Sequence, residues 1–335
     1  MKAYELHPAE GLDALRPVDR PEPEIGPHMA RVRVRAVSLN YRDLVTARGA
    51  AKRKRPIVPT SDGAGEVVEV GPGVTRLAVG DRVAAAFFPT WIDGELSDEI
   101  HARALGGGGD GMLAEQVVLD ERAWVKLPEH LSYEQGATLP CAGVTAYHAL
   151  FEAAALRPGD TVLVQGSGGV SVFALQLARA SGAIVLATSG SAPKRERLQA
   201  LGAAATFDYA ATPKWGDAVR TFTGGRGVDL VVEVGGAGTF DQSVAALRYG
   251  GTMSLLGVLT GTGGPVNTYA LFHKAIRVHG VYVGSVRMFE ALNRALTATK
   301  IEPIVDRVFA FDEARAAYEH LASGRHFGKV VVRVG

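Results

Sequence analysis

The stretch that most restricts how this chain can fold runs from Thr161 to Gly182, TVLVQGSGGVSVFALQLARASG. It opens on an apolar run, Val162–Leu163–Val164, and passes through glycines at 166, 168 and 169. It continues with Val170, Phe173, Ala174, Leu177 and Ala178 at helical spacing. Strand, glycine-rich turn and helix in that order build a phosphate site. The turn exposes backbone N–H groups, the helix dipole adds partial positive charge, and glycine lets the backbone approach a pyrophosphate closely. Ser171 stands where the G-x-G-x-x-G pattern has its third glycine. A second apolar run, Ile184 to Thr188, ends about 20 residues past the glycines, where a dinucleotide fold reads the ribose. Gly166, Gly168, Gly169 and Val170 are therefore expected to hold a dinucleotide.

With 335 residues the chain exceeds one ordinary domain. Up to about residue 125 it reads as mostly β. Arg31 to Val37 alternates charged and apolar residues, Glu66–Val70 and Arg82–Ala86 are short apolar runs, and Gly71-Pro72-Gly73 and Gly80-Asp81 are turn signals. Basic Lys52–Arg55 reads as a solvated loop, and glycine-rich 106–111 as a loop, either a mobile lid or a plain connection. From about 126 the pattern becomes α/β. Helices are expected at Tyr133–Ala137, Val144–Glu152 and about Pro193–Leu201. Buried parallel strands are expected at Val228–Val234 and Thr252–Leu256. Ile276–Val283 reads as a strand of a tail that returns to the first domain.

Composition excludes several classes. A formal net charge of +1 favours neither nucleic acid nor an anionic membrane as partner. No apolar run approaches the roughly 18 residues of a membrane span. Cys141 is the one cysteine, so no intrachain disulfide can form; with no apolar signal core at the N-terminus, a cytoplasmic setting is expected.

Four segments, SLNYRDL at 38–44, SDGAGEVVEVG at 61–71, VLVQGSGGVS at 162–171 and FGKVVV at 327–332, together resemble the medium-chain dehydrogenase/reductase superfamily, with the zinc-free quinone oxidoreductase-like branch most similar. The resemblance implies an α/β fold: a doubly wound Rossmann sheet (126–268) plus a GroES-like, mostly-β catalytic domain (1–125 and 269–335), with the active site in the cleft between them. It also implies a homodimer or homotetramer.

Zinc-binding relatives carry Cys, His and Cys or Asp where this chain has Asn40, Ser61 and Cys141, and Glu where it has Asp62. One thiol cannot build a tetrahedral catalytic site. The region 87–112 has no cysteine for a structural one. No metal is therefore expected, and Cys141 reads as a packed residue. The resemblance puts SLNYRDL in the cleft, where Asn40 offers an amide N–H and Tyr41 a phenolic O–H to a substrate oxygen; packing is the alternative for Tyr41. Arg42 and Asp43 read as a scaffolding pair. The resemblance further places Thr145, Gly257 and Val258 at the nicotinamide, Tyr209 on the adenine, and Lys329 within reach of the cofactor.

The second strand ends in Ala187-Thr188-Ser189-Gly190-Ser191, without the acid that a NAD site presents to the ribose, and Lys194 and Arg195 follow. Ser189, Lys194 and Arg195 thus suit a 2′-phosphate, making NADP(H) the expected cofactor. The expected function is zinc-independent hydride transfer from NADPH to a small molecule, a quinone, enone or carbonyl. The alternatives are an NADP-dependent alcohol dehydrogenase working oxidatively and an NADPH-binding sensor or structural protein without turnover.

Overall fold

A computed structural model describes all 335 residues. In chain order the strands are β1 Lys2–Leu6, β2 Leu15–Asp19, β3 Met29–Leu39, β4 Asp62–Val70, β5 Arg82–Ala85, β6 Gln116–Asp120, β7 Trp124–Lys126, β8 Thr161–Gln165, β9 Ile184–Thr188, β10 Ala205–Phe207, β11 Val228–Glu233, β12 Leu247–Leu255, β13 Arg277–Gly280, β14 Val305–Phe309 and β15 Lys329–Arg333. The chain divides into two units, residues 1–144 with 284–335, and residues 145–283. No helix is long and apolar enough to cross a membrane.

The first unit is built on β3. Ala30, Val32, Val34 and Ala36 point into the core while Arg31, Arg33 and Arg35 alternate outward. The last four residues, Ala36 to Leu39, are all buried. β3 pairs antiparallel with β4, β6 and β15, in a sheet ordered β14-β15-β3-β4-β5-β7 with β6 on β3. Register shifts between β3 and β4 at Arg31/Val32 and Val34/Ala36 bend the strand. At Gly65, beside the second shift, a Cβ would lie 2.1 Å from the Arg33 carbonyl oxygen, so only glycine permits this strand approach. β3 then delivers Asn40 and the helix Tyr41–Arg48.

The second unit is a six-stranded parallel sheet ordered β10-β9-β8-β11-β12-β13. Every residue of β11 is buried, Asp229 and Glu233 included, as in a strand covered on both faces. The winding reverses between β8 and β11. That point is where open α/β sheets take ligands, beyond the carboxyl ends of their strands.

The unit boundaries fall at 144/145 and 283/284, not at the expected 125/126 and 268/269. Two tertiary contacts move them. The segment Tyr133–Gly143 turns back on the first unit, where the Cys141 backbone N–H donates to Asp62 Oδ2 at 3.1 Å. β13 joins β12 as the sixth strand of the parallel sheet, so the tail returns only at Gly284. The 106–111 loop is a packed turn. Arg42 Nη1 donates to the Leu105 carbonyl at 2.7 Å, and both Arg53 Nη atoms donate to the Gly107 carbonyl at 3.1 Å. Asp110 accepts from the Val58 N–H and pairs with Arg20 at 2.8 Å. Arg53, read from sequence as part of a solvated run, is thus a structural anchor.

Gly65→Ala should destabilise the protein by roughly 1–3 kcal/mol, the range for overpacking a closed site. Gly263→Ala, where a Cβ meets nothing within 4 Å, should be near neutral. Denaturant unfolding of the two variants checks this; equal midpoints would contradict the close approach of β3 and β4.

Candidate active site

Within the first unit, the residues at the expected metal-ligand positions converge as a chain of polar contacts. Lys329, at the start of β15 and only 3% exposed, donates from Nζ to the Leu39 carbonyl at 2.6 Å and to Asn40 Oδ1 at 2.5 Å. Asn40 Nδ2 lies 3.4 Å from Ser61 Oγ. Ser61 donates to Asp62 Oδ1 at 2.7 Å, and Asp62 Oδ2 accepts from the Cys141 N–H. Burial raises the pKa of Asp62 despite Lys329 nearby, and burial raises that of the Cys141 thiol strongly. Cys141 is thus a neutral thiol in a wide π turn, Leu139–Gly143.

The Lys329 ammonium faces Asn40 and the β3 terminus, contacts that its expected place near the cofactor does not foretell. Its partners lie 289 and 290 residues away, so no local signal could disclose them. Arg42 and Asp43 likewise form no ion pair. Arg42 turns to Leu105 and stacks on Phe87 at 4.6 Å, while Asp43 Oδ2 accepts from the Asn40 backbone N–H at 2.7 Å, closing the first turn of the helix. Tyr41 is 43% exposed with no hydrogen bond inside the chain, so packing does not account for it; Val45, one turn on, is also exposed.

In the second unit, Gly166 takes φ +71° and donates its N–H to the Thr188 carbonyl at 2.7 Å. A Cβ at Gly166 or Gly168 would meet no protein atom within 4 Å. These glycines therefore leave open space in front of the helix Gly169–Ala180, whose first N–H groups have no intrahelical acceptor. Ser171 is buried and its hydroxyl donates to the Gln165 carbonyl at 2.6 Å, which explains a serine in the third glycine's place.

Gln165 ties this loop to the strand across the switch point. Its Nε2 donates to Glu233 Oε2 at 2.6 Å and to Ser243 Oγ at 2.7 Å. Fully buried Glu233 also accepts from the N–H groups of Gly235 and Gly236 and from the hydroxyls of Thr239 and Ser243. Thr260 in turn donates its N–H and its hydroxyl to the Gly235 carbonyl, both at 2.8 Å, which fixes the loop carrying Gly257 and Val258. A Cβ at Gly257 would lie 2.4 Å from the Val234 carbonyl oxygen, while Val258 is exposed. Sequence reasoning missed Gln165 and Glu233; a polar residue at the carboxyl end of each mostly apolar strand was the available signal.

Ser189 is buried at the end of β9, and its Oγ accepts from the Ser191 N–H at 3.3 Å. Arg195 donates to the Ser189 carbonyl at 2.9 Å and pairs with Asp208 at 2.8 Å. Asp208, just past β10, is an acid that a search after the second strand does not reach. Backbone N–H bonds, that of Ala211 foremost, hold its carboxyl below the usual range. Tyr209 lies over Gly190, where a Cβ would come within 3.0 Å of the ring. Lys194 opens the helix Ala192–Ala200 beside Arg195. Thr145 is buried in the helical turn Val144–Tyr147.

Residues 26–129 match the family model described as the alcohol dehydrogenase GroES-like domain, and residues 169–298 match that described as zinc-binding dehydrogenase. A zinc-type alcohol dehydrogenase-like protein of Schizosaccharomyces pombe is 40% identical over 97% of this chain and 96% of its own length. The crystal structure of a putative alcohol dehydrogenase from Sinorhizobium meliloti superposes with a TM-score of 0.91 at 41% identity, covering 96% of this chain and 95% of that one. A structure titled NAD-dependent alcohol dehydrogenase reaches the same score at 35% identity over the whole of both chains.

Burial raises the pKa of Asp43 from 3.8 to about 6. Below about pH 4 the group is protonated folded or unfolded. As pH rises through the interval to about 6, the unfolded chain has released the proton and the folded chain still binds it, so stability falls; above that the penalty is constant. Asp43→Asn, which keeps an acceptor for the Asn40 N–H, should therefore gain stability relative to the parent as pH rises from 4 to 6.5. Urea unfolding across that range measures it, and a difference independent of pH would contradict the burial of this carboxyl.

Proposed function

Because this chain belongs to the medium-chain dehydrogenase/reductase family of oxidoreductases, we propose that it transfers hydride from NADPH to the carbonyl-conjugated system of a quinone or enone, or to a carbonyl, without zinc. The observation that carries this reading is the donor set at the metal-ligand positions. It consists of an amide, a hydroxyl and one thiol whose pKa burial raises, with a lysine ammonium against the amide. No group of three His, Cys, Asp or Glu side chains is arranged to hold a metal. Tetrahedral zinc takes three such ligands and an open position, so this set does not fit it.

When bound, NADPH supplies the hydride from nicotinamide C4. The open space at Gly166 and Gly168 and the N-terminus of the helix Gly169–Ala180 suit its pyrophosphate. Ser189, Ser191, Lys194 and Arg195 suit a 2′-phosphate, which would compete with Asp208 for Arg195; no acid occupies the end of β9. Tyr209 supports the adenine, Thr145, Gly257 and Val258 the nicotinamide. Asn40 Nδ2–H and the Tyr41 hydroxyl hold the acceptor oxygen as negative charge develops on it. The exposed Tyr41–Val45 face suits an apolar acceptor. For an enone, hydride adds to the β-carbon and a proton from water completes the α-carbon.

The names of the relatives favour a second reading, oxidation of an alcohol, with the same donors on the alcohol oxygen. Without a metal to ionise the alcohol, that direction is the harder one. We further propose a cytoplasmic homo-oligomer. β13 is a sheet edge exposed along its whole length, and Tyr269 and Phe272 near it are 63% and 72% exposed, a hazard that assembly would remove.

Purified protein should consume NADPH with an enone such as methyl vinyl ketone, at least about tenfold more efficiently than NADH, as one charge-assisted contact to the 2′-phosphate provides. With C4-deuterated NADPH, deuterium should appear on the product carbon. Equal efficiency with the two cofactors would reject the NADPH assignment. Turnover only of alcohols with NAD would favour the second reading. Tight NADPH binding without turnover of any acceptor or alcohol would reject an enzymatic role.

A further inference from the structure

We infer that Lys329 is a positioning residue: its buried ammonium fixes the orientation of the Asn40 amide, so that Asn40 presents N–H and not C=O to the substrate oxygen. This rests on the proposed role of Asn40 as oxyanion donor.

A side-chain amide has two polar ends of nearly equal shape, one accepting and one donating, and only its neighbours decide which faces where. At most sites a flip exchanges one set of contacts for another. Here it cannot. Lys329 Nζ stands 2.5 Å from one end of the amide, and an ammonium has donors but no acceptor. That end must be oxygen. The ammonium is itself pinned by the Leu39 carbonyl, 2.6 Å away, on the residue before Asn40. Lys329 begins β15, whose Val330 pairs with Leu39 of β3, so the two side chains are held by one antiparallel ladder. At the other end, Ser61 has its hydrogen on Asp62 and can only accept. The whole sequence runs one way: ammonium to amide oxygen, amide N–H to Ser61, Ser61 O–H to Asp62. The 3.4 Å contact to Ser61 is long for an N–H bond, so a substrate oxygen can take Ser61's place as acceptor.

The ammonium has a second effect. A cation on the amide oxygen polarises the group and strengthens its N–H as a donor, because chained hydrogen bonds reinforce one another at low dielectric. Positive charge thus reaches the substrate oxygen through Asn40.

The test is a double-mutant cycle with NADPH and an enone. Asn40→Ala should lower kcat by about 10²-fold, the typical loss of one oxyanion donor. Lys329→Met should lower kcat by at least about tenfold with the NADPH dissociation constant unchanged, and Asn40→Ala/Lys329→Met should be no slower than Asn40→Ala. Lys329→Arg, which keeps charge and donors, should recover part of the loss, and Lys329→Gln, a neutral donor, less. Asn40→Asp keeps a partner for Lys329 but no donor, and should fold as the parent does while matching Asn40→Ala in rate. If Lys329→Met fails to fold, the order Arg above Gln in kcat carries the test, and Gln equal to or above Arg overturns the inference. Multiplicative losses in the double variant, or a weakened NADPH affinity with kcat retained, would also overturn it and return Lys329 to the cofactor. Full kcat in Asn40→Ala would instead reject the oxyanion role of Asn40, a failure of the functional reading itself.

Discussion

The buried ammonium of Lys329 is the constraint on which the first unit's site depends. A cation 3% exposed in a β-sheet core is tolerable only where acceptors surround it. The Leu39 carbonyl and the Asn40 amide oxygen supply them, with Asp62 close enough to interact by charge. The neighbours are ordered in consequence. Ser61 stands between amide and carboxylate, and Asp62 reaches the π turn through the Cys141 N–H. In this chain a side-chain cation is part of the fold itself.

The second unit is organised by an anion. Glu233 sits without exposure among neutral donors: two backbone N–H groups, two hydroxyls and the Gln165 amide. A carboxylate with this many donors needs no counter-ion. Through Gln165 it anchors the end of β8, from which the glycine loop departs. Through Gly235 and Thr260 it reaches the loop carrying Val258. The loops proposed for the two halves of the cofactor are thus referred to one carboxylate at the sheet's switch point.

Much of this was legible in the sequence, because strands and helices are periodic and glycine turns are local. β3, β8, β9, β11 and β12 lie where apolar runs put them, and the four family segments each open onto a site residue. What was not legible depends on contacts across long stretches of chain. Lys329 reads only as a cation within reach of the cofactor until β15 is paired with β3. Arg195 reads as a cation for the 2′-phosphate until Asp208 comes round just past β10. The Gly106–Gly111 run reads as slack, yet its glycines are small so that Thr60, Ala102 and Arg42 can press against them. The unit boundary shifted for the same reason, since an edge strand such as β13 is assigned by its partner and not by its own residues.

The central proposal, that the lysine-anchored amide of Asn40 serves this chain without a zinc ion, is tested most directly by elemental analysis of protein incubated with excess zinc and then dialysed, with NADPH-dependent activity assayed before and after chelation. The expected result is far less than one zinc per chain and activity unchanged by the chelator. One zinc per chain surviving dialysis, lost in Cys141→Ser and required for turnover, would contradict it.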